Sequence, residues 1–157
     1  MGKYSDYYTE FFESTEINLR DMTEETANAP YAPGKWTRKE LLGHLIDSAA
    51  NNHARFVTAQ FSDELVFASY EQDLWVKVQN YKEASWSSLI TLWTTYNKHI
   101  LHVVDSIHEE ILTEPRDIHN LDEICFQKPP ADEPVALEYL IDDYYDHMQH
   151  HLEQIFS

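Results

Sequence analysis

The sequence predicts an all-α protein, a four-helix bundle that forms a single domain over residues 1–157. Four stretches carry apolar residues at steps of three and four, the spacing of one face of an α-helix. Only three glycines and six prolines occur, so few tight turns are available and long regular elements are favoured. Hydrophobic residues make up 43% of the chain, which excludes a disordered protein and suffices for one core.

The first two helices are separated by a turn at Pro33 and Gly34. The first should end before the segment 28–30 and buries Tyr4, Tyr8, Phe11, Phe12, Thr15, Leu19 and Met22. The second begins at Thr37, because Thr37 and Glu40 have the spacing of a capping box. It runs to about residue 60 and buries Leu42, Leu45, Ile46, Ala49, Phe56 and Val57.

Two weakly periodic connections surround the third helix. The segment 61–81 is predicted as a loop with a short helical turn at 71–78, and 113–133 as irregular chain. Between them, the third helix buries Leu89, Trp93, Tyr96, Ile100, Val103 and Ile107. Pro134 fits the first position of the last helix, where its missing amide hydrogen costs nothing. That helix buries Leu137, Ile141, Tyr144, Met148, Leu152 and Ile155.

The charge balance argues against two classes of partner. The chain has 28 acidic and 11 basic residues, a formal charge of −17. Such a field repels nucleic-acid phosphates and anionic lipids, so we expect no nucleic-acid partner and no membrane partner. No signal-peptide pattern and no apolar run of about 18 residues occurs, which predicts a cytoplasmic protein. The single cysteine, Cys125, excludes an intramolecular disulfide and a cysteine-rich metal site. It is a nucleophile or, as we favour because no cysteine motif surrounds it, a plain loop or partly buried thiol.

The nine histidines include one pair at a metal-ligand spacing. His147 and His151 lie four residues apart on the flank of the last helix's apolar stripe, where they can share an ion or remain ordinary boundary histidines. His150 falls farther round the helix. His44 lies off the centre of the second helix's apolar stripe, so its position does not decide between a ligand and a core residue. His53 lies nearer the middle of that stripe, which favours a core role. The remaining histidines are predicted on solvated faces or loops: His99, His102, His108 and His119.

Several residues are candidates for the surroundings of such a site. Asp47 follows His44 by one turn and Asp143 precedes His147 by one turn, so each is a general base, a hydrogen-bond partner of its histidine, or a solvated acid. Tyr70 and Trp75 form a pocket wall or cap the bundle. Tyr144 contacts substrate or packs in the core. Three residues of the second helix either line the same cleft or are ordinary surface residues of the helix: Asn51, Asn52 and Arg55.

Three segments together resemble the DinB/YfiT-like superfamily: 36–56, 70–76 and 140–155. They occur in the family's order, and the resemblance covers almost the whole chain. It implies up-down-down-up connectivity and often a homodimer. It also implies a metal held by the histidine of Gly-His-Leu and both histidines of the final His-x-x-x-His. These positions correspond to His44, His147 and His151.

The resemblance implies the site more firmly than the reaction. Family members include transferases and isomerases that use a low-molecular-weight thiol such as bacillithiol or mycothiol, and others are described as metal-dependent hydrolases. We therefore expect one divalent ion, with zinc and nickel preferred, although imidazoles also suit iron and copper. The predicted activity is thiol transfer or hydrolysis of a small molecule. The alternative is a non-catalytic, stress-related helical binding module.

Overall fold

A computed structural model describes residues 2–157 and is all-α. The helices are α1 Ser5–Asp21, α2 Glu24–Ala27, α3 Arg38–Thr58, α4 Gln72–Gln79, α5 Trp86–Asp105, α6 Glu109–Thr113, α7 Leu121–Ile124 and α8 Leu137–Ile155. Two 3₁₀ turns span Ala59–Phe61 and Tyr81–Glu83. Over residues 2–157, β pairing is limited to three isolated bridges between loop residues. The four long helices, α1, α3, α5 and α8, form the predicted bundle.

Side-chain caps determine where two of the long helices begin. The predicted capping box is present: the Glu40 amide donates to Thr37 Oγ1, and the Thr37 amide donates to Glu40 Oε1. Ser85 accepts the Ser88 amide at the start of α5. Each cap satisfies amide groups that the first turn of a helix leaves without intrahelical partners. The start of α3 matters most here, because this helix carries His44.

Contacts between the helices confirm the up-down-down-up order. α1 runs antiparallel to α5, because Trp86 Nε1 donates to Leu19 O and the Asp105 carboxylate accepts the Tyr4 amide. Along α8 the order is the same as along α1: the Tyr4 ring stacks on Tyr145, and the Tyr8 hydroxyl accepts from Gln149. These two helices are therefore parallel.

The middle helices point the other way. α3 is antiparallel to α8, since Arg38 Nε donates to Ile155 O near one end, while Phe56 contacts Tyr144 farther along. This arrangement places the first half of α3 beside the second half of α8. His44 therefore faces the region of α8 that carries the other two histidines.

The core is a continuous apolar cluster between the long helices. Its largest fully buried side chains are Trp93, Tyr145, Phe12 and Phe56. Most of the predicted stripe residues belong to it, although six are only half-buried: Tyr8, Phe11, Met22, Val57, Tyr96 and Val103. Over residues 2–157, no helix combines the length and apolar character required to cross a membrane.

One predicted helix start and one predicted irregular segment differ from the structure, whereas the first helix ends before residue 28 as expected. α8 begins at Leu137 and not at Pro134, because the backbone of Val135 exchanges two hydrogen bonds with Arg116 and holds this segment extended. α1 ends at Asp21, and the short α2 follows before residue 28. The helical turn predicted at 71–78 is present as α4, whereas the segment predicted as irregular contains α7.

Candidate metal centre

Three histidines from two antiparallel helices converge at one point. His44 comes from α3, and His147 and His151 come from successive turns of α8. The Nε2 atoms of His44 and His147 are 3.3 Å apart, and one ring nitrogen from each of the three histidines lies within 4.8 Å of the others. The sequence spacing paired His147 with His151. The structure adds His44, whose role could not be decided from its position on the second helix.

Close packing around α3 positions His44. Its side chain is buried, and the ring of Trp36 lies against it with centroids 5.0 Å apart. The preceding residue, Gly43, is in contact with the ring of Tyr81, and a Cβ at position 43 would overlap that ring. A glycine is therefore required for the Tyr81–Glu83 turn to lie this close to the helix.

Burial keeps the histidines in their neutral form. Desolvation, with a smaller contribution from His151, lowers the pKa of His44 to about 4. Desolvation and the neighbouring histidines lower the pKa of His147 to about 3. The pKa of His151 is also lowered, chiefly by desolvation. At neutral pH all three imidazoles therefore have a free lone pair, as metal ligands require.

The spacing of these nitrogens fits a small divalent ion. Two imidazole nitrogens at about 2.0–2.1 Å from a tetrahedral ion lie about 3.3 Å apart, which is the separation of Nε2 in His44 and His147. His151 Nδ1 donates to Gln154 Oε1 at 2.7 Å, so its Nε2 is the nitrogen left for a ligand. His44 Nδ1 is buried without a hydrogen-bond partner. Three candidate ligand nitrogens are therefore available, and His44 lacks the hydrogen-bond partner that metal-binding histidines usually have at the other ring nitrogen.

A cavity of about 560 Å³ opens beside the histidines, within the usual range for a small-molecule site. It lies between α3, α8 and the loops that contain Tyr70 and Phe126. Its principal lining residues are Ser48, Asn52, Arg55, Tyr70, Phe126, Asp143, Tyr144, His147, His150 and His151. Among the second-helix candidates, Asn52 and Arg55 line the cavity, whereas Asn51 does not and instead donates to Asp47 O.

Asp47 does not take the predicted place behind His44. It is buried and accepts hydrogen bonds from the Tyr81 hydroxyl at 2.6 Å and from Gln79 Nε2 at 2.8 Å. Desolvation raises its pKa, an effect opposed by these two hydrogen bonds. The carboxylate does not line the cavity beside the histidines. It joins α3 to the segment after α4.

Asp143 lines the cavity but has other partners than His147. Its two oxygens accept the backbone amides of Phe126 and Gln127 at 2.9 and 2.7 Å. The Phe126 ring then lies 5.6 Å from that of His147. Burial, together with the Asp143 charge, raises the pKa of Cys125 to about 12, so that the thiol stays protonated. Asp143 therefore holds the loop that forms one cavity wall.

The three predicted aromatic residues occupy different positions. Tyr144 is buried, donates to Asn97 Oδ1 and forms the inner wall of the cavity, so it belongs to both core and cavity. Tyr70 is part of the wall. Trp75 contacts Tyr70 with ring centroids 5.3 Å apart but does not itself line the cavity.

Two other histidines differ from their predictions. His119 was predicted on a solvated face or loop; it is on a loop, but its side chain is buried, accepts the Leu121 amide and bonds Glu133 O. His150 reaches the cavity even though it lies farther round α8, because the Phe126 loop covers that face of the helix. A helical wheel cannot show such a loop.

Fold and site together describe a four-helix bundle with a three-histidine cluster beside a small-molecule cavity. The sequence pattern of the DinB superfamily matches residues 8–155, and the chain belongs to this superfamily. The resemblance seen in the sequence is thereby confirmed.

Several proteins are similar in sequence to this chain. A Bacillus mycoides protein named "Putative metal-dependent hydrolase" is 26% identical over 144 residues, which cover 88% of this chain and 73% of the relative. YfiT of Bacillus subtilis, which carries the same description, is 22% identical over 85% of this chain and 70% of its own length.

The solved structure of Bacillus subtilis YfiT has the same fold. It matches with a TM-score of 0.75 and 20% identity over 99% of this chain and 86% of YfiT. It is described as a "probable metal-dependent hydrolase with an unusual four-helix bundle topology". At this identity the likeness supports the fold alone.

Proposed function

We propose that this chain is a metal-dependent enzyme that binds one divalent ion through His44, His147 and His151. The observation that carries the proposal is the convergence of three neutral imidazoles, whose ring nitrogens lie within 4.8 Å of one another and, for His44 and His147, at the 3.3 Å that a small ion requires. Three protein ligands leave a coordination position open to substrate or water. Imidazole nitrogen suits zinc, nickel, iron and copper, and of these we keep zinc and nickel as the preferred ions.

The reaction we favour is transfer of a small thiol to an electrophilic substrate. A divalent ion would favour the deprotonated form of a thiol or of a water molecule at its open position. Water attack also commonly uses a carboxylate base, and neither candidate is placed to serve as one: Asp47 does not line the cavity, and both oxygens of Asp143 accept backbone amides. A thiol, already far more acidic than water, has less need of such a base.

In this transfer one bond forms for each bond that breaks, and no oxidant or reductant is required. The thiol proton leaves to solvent, a sulfur–carbon bond forms, and the bond from that carbon to the leaving group breaks with its electron pair. The chain's own residues orient the partners in the cavity, whose inner wall is formed by Tyr144 and one side by Phe126. The histidines keep their neutral form because they are buried.

Hydrolysis is the second candidate, supported by the descriptions of the relatives as metal-dependent hydrolases. The two reactions differ in the nucleophile and share the ion. A homodimer and a cytoplasmic location also stay predictions, and neither is needed for the proposed chemistry.

The test is metal analysis of protein purified without a metal-affinity column, followed by a turnover screen. We expect about one equivalent of zinc or nickel and turnover of thiols with alkyl-halide or epoxide acceptors. Activity toward esters without any thiol would favour hydrolysis. No bound metal, even after incubation with either ion, would contradict the proposal and favour the non-catalytic binding module.

A further inference from the structure

Arg55 is a buried cation on the wall of the cavity. Its residue exposure is 8%, and it lies on α3 after His44, Ser48 and Asn52, at steps of four, four and three residues. These steps keep all four residues on one face of the helix. The histidine cluster and Arg55 therefore belong to the same face of α3 and to the same cavity.

The guanidinium of Arg55 has few partners for a buried charge. Nη2 donates to Ala68 O at 2.9 Å, and Nη1 makes a long contact of 3.4 Å with Asn52 Oδ1. Among residues 2–157, no carboxylate oxygen comes within 4.0 Å of the Arg55 guanidinium, the limit for an ion pair. A guanidinium carries five N–H donors, and buried charges are ordinarily paired. The chain has 28 acidic residues, so a shortage of carboxylates does not explain why none of them pairs with Arg55.

The acidic groups of the same cavity do not serve as that partner. Both oxygens of Asp143 accept backbone amides, and Glu123 is exposed at the cavity rim. The groups beside Arg55 are neutral: the Asn52 amide oxygen, the Tyr70 side chain, and the Phe67 ring, whose centroid lies 6.0 Å from the guanidinium carbon. Such a setting, one buried cation with neutral groups around it, is suited to an acidic group that arrives from outside.

We propose that Arg55 binds an anionic oxygen group, a carboxylate or a phosphate, on the substrate whose other end reacts at the three histidines. This inference rests on the proposed function for the reacting end and deepens it. From His44 to Arg55 the helix rises about 16 Å, and the Arg55 side chain leans back toward Asn52. The substrate is therefore elongated, with its acidic group several bonds from its reacting group.

The first experiment tests the anion site without any metal. Metal-free protein is titrated with hexanoate, hexyl phosphate and hexanol while NMR follows the Nε–H signals of its arginines, that of Arg55 being assigned by its loss in Arg55→Lys. We expect a saturable shift of the Arg55 signal with hexanoate or hexyl phosphate, whichever group the site takes, and none with hexanol. No shift with either acid would overturn the proposal, whatever the state of the metal site.

The second experiment tests whether one molecule can bind at the histidine cluster and at Arg55 simultaneously. Cobalt-loaded protein is titrated with 6-mercaptohexanoate, 6-mercaptohexyl phosphate and 6-mercaptohexanol, and binding is followed by the visible spectrum of the metal. An acidic thiol should bind about 10- to 100-fold more tightly than the alcohol, as expected for a charged hydrogen-bonded pair. Arg55→Met should abolish this preference, and Arg55→Lys should keep part of it.

Arg20→Met is the matched control, because it removes the same charge from a remote, exposed position. It should leave the preference unchanged. Equal binding of all three thiols by the wild-type protein would overturn the role of Arg55. Failure of cobalt to bind would instead overturn the proposed metal site, and the metal-free titration would still decide whether Arg55 binds an anion.

Discussion

Two clusters of three histidines occur in this chain, and they differ in chemistry although their rings are similarly close. In the first cluster, His44, His147 and His151 have ring centroids 4.5–5.2 Å apart. In the second cluster, His53 lies 5.2 Å from His99, which lies 6.3 Å from His102. The nitrogens of the first cluster converge, whereas in the second His53 Nδ1 bonds the Tyr96 hydroxyl and the other two rings are exposed.

The comparison shows that ring proximity is insufficient for a metal site. Across residues 2–157, the first cluster is the one group of three or more histidine, cysteine or acidic side chains whose ligand atoms come close enough together to hold a metal ion, all within 4.8 Å of one another. Its nitrogens are also desolvated and face one another across two helices. A metal site requires free lone pairs directed at one point, which the second cluster lacks.

The largest expected effect comes from removing a ligand of the first cluster. His147→Ala should lower zinc affinity by more than about 100-fold, because losing a direct ligand costs more than losing its hydrogen-bond partner. His99→Ala is the control from the second cluster and should bind zinc like the wild type. Competition with a chromophoric chelator measures both, and equal loss in the two variants would remove the distinction between the clusters.

A pH titration of metal-free protein probes the burial of the first cluster. The pKa values of His44 and His147, about 4 and 3, lie below the unfolded value of about 6.5. The unfolded chain therefore binds more protons from pH 6.5 down to 4, so stability falls as pH decreases through this window. The slope is at most about 1.4 kcal/mol per pH unit for each histidine.

The raised pKa values of Asp47 and Asp143 act in the opposite direction, so the test is a difference between variants. His147→Gln should flatten the fall in urea-unfolding free energy between pH 6.5 and 4, whereas His99→Ala should not. Parallel curves for His147→Gln and the wild type would show that His147 is not held neutral by burial.

Gly43→Ala tests the packing that positions the first cluster. Alanine ordinarily stabilises a helix relative to glycine, by about 1 kcal/mol. Here its Cβ overlaps the ring of Tyr81, so we expect a net loss of about 1–3 kcal/mol in unfolding free energy. Asn51→Ala on the same helix is the control and should change stability little. A gain in stability for Gly43→Ala would show that Tyr81 moves aside freely.

The smallest expected effect concerns the partner of His151. Gln154→Leu removes the acceptor of the Nδ1 hydrogen and should weaken zinc binding by about tenfold, the low end for such partners because Gln154 is half-buried. Gln149→Leu is the matched control, because Gln149 lies on the same helix as Gln154 but donates to the Tyr8 hydroxyl of α1. Equal affinities for the two variants would show that Gln154 does not orient His151.

Much of the fold could be predicted from local pattern, and less of the site. Helical periodicity and the Thr37–Glu40 capping box predict the long helices, since both depend on residues close in sequence. The start of α8 was missed because a long-range pairing of Val135 with Arg116 overrides the preference of Pro134. His147 and His151 follow from their spacing. His44 came from resemblance to the family, because its partners lie on another helix.

The surroundings of the site depended on loops, which explains the wrong assignments there. Asp47 follows His44 by one helical turn, so it was a candidate hydrogen-bond partner of that histidine. Its carboxylate instead accepts a hydrogen bond from the Tyr81 hydroxyl. The loop at Phe126 brings His150 to the cavity, although the helical wheel placed it on a different face. The conformation of such segments is determined by tertiary contacts and has no short sequence signature.

Anomalous diffraction from crystals grown with zinc, recorded above and below the zinc absorption edge, would locate the ion directly. We expect one strong anomalous peak at about 2.0–2.1 Å from Nε2 of His44, His147 and His151. A peak at His53 and His99, or at surface carboxylates alone, would contradict this expectation.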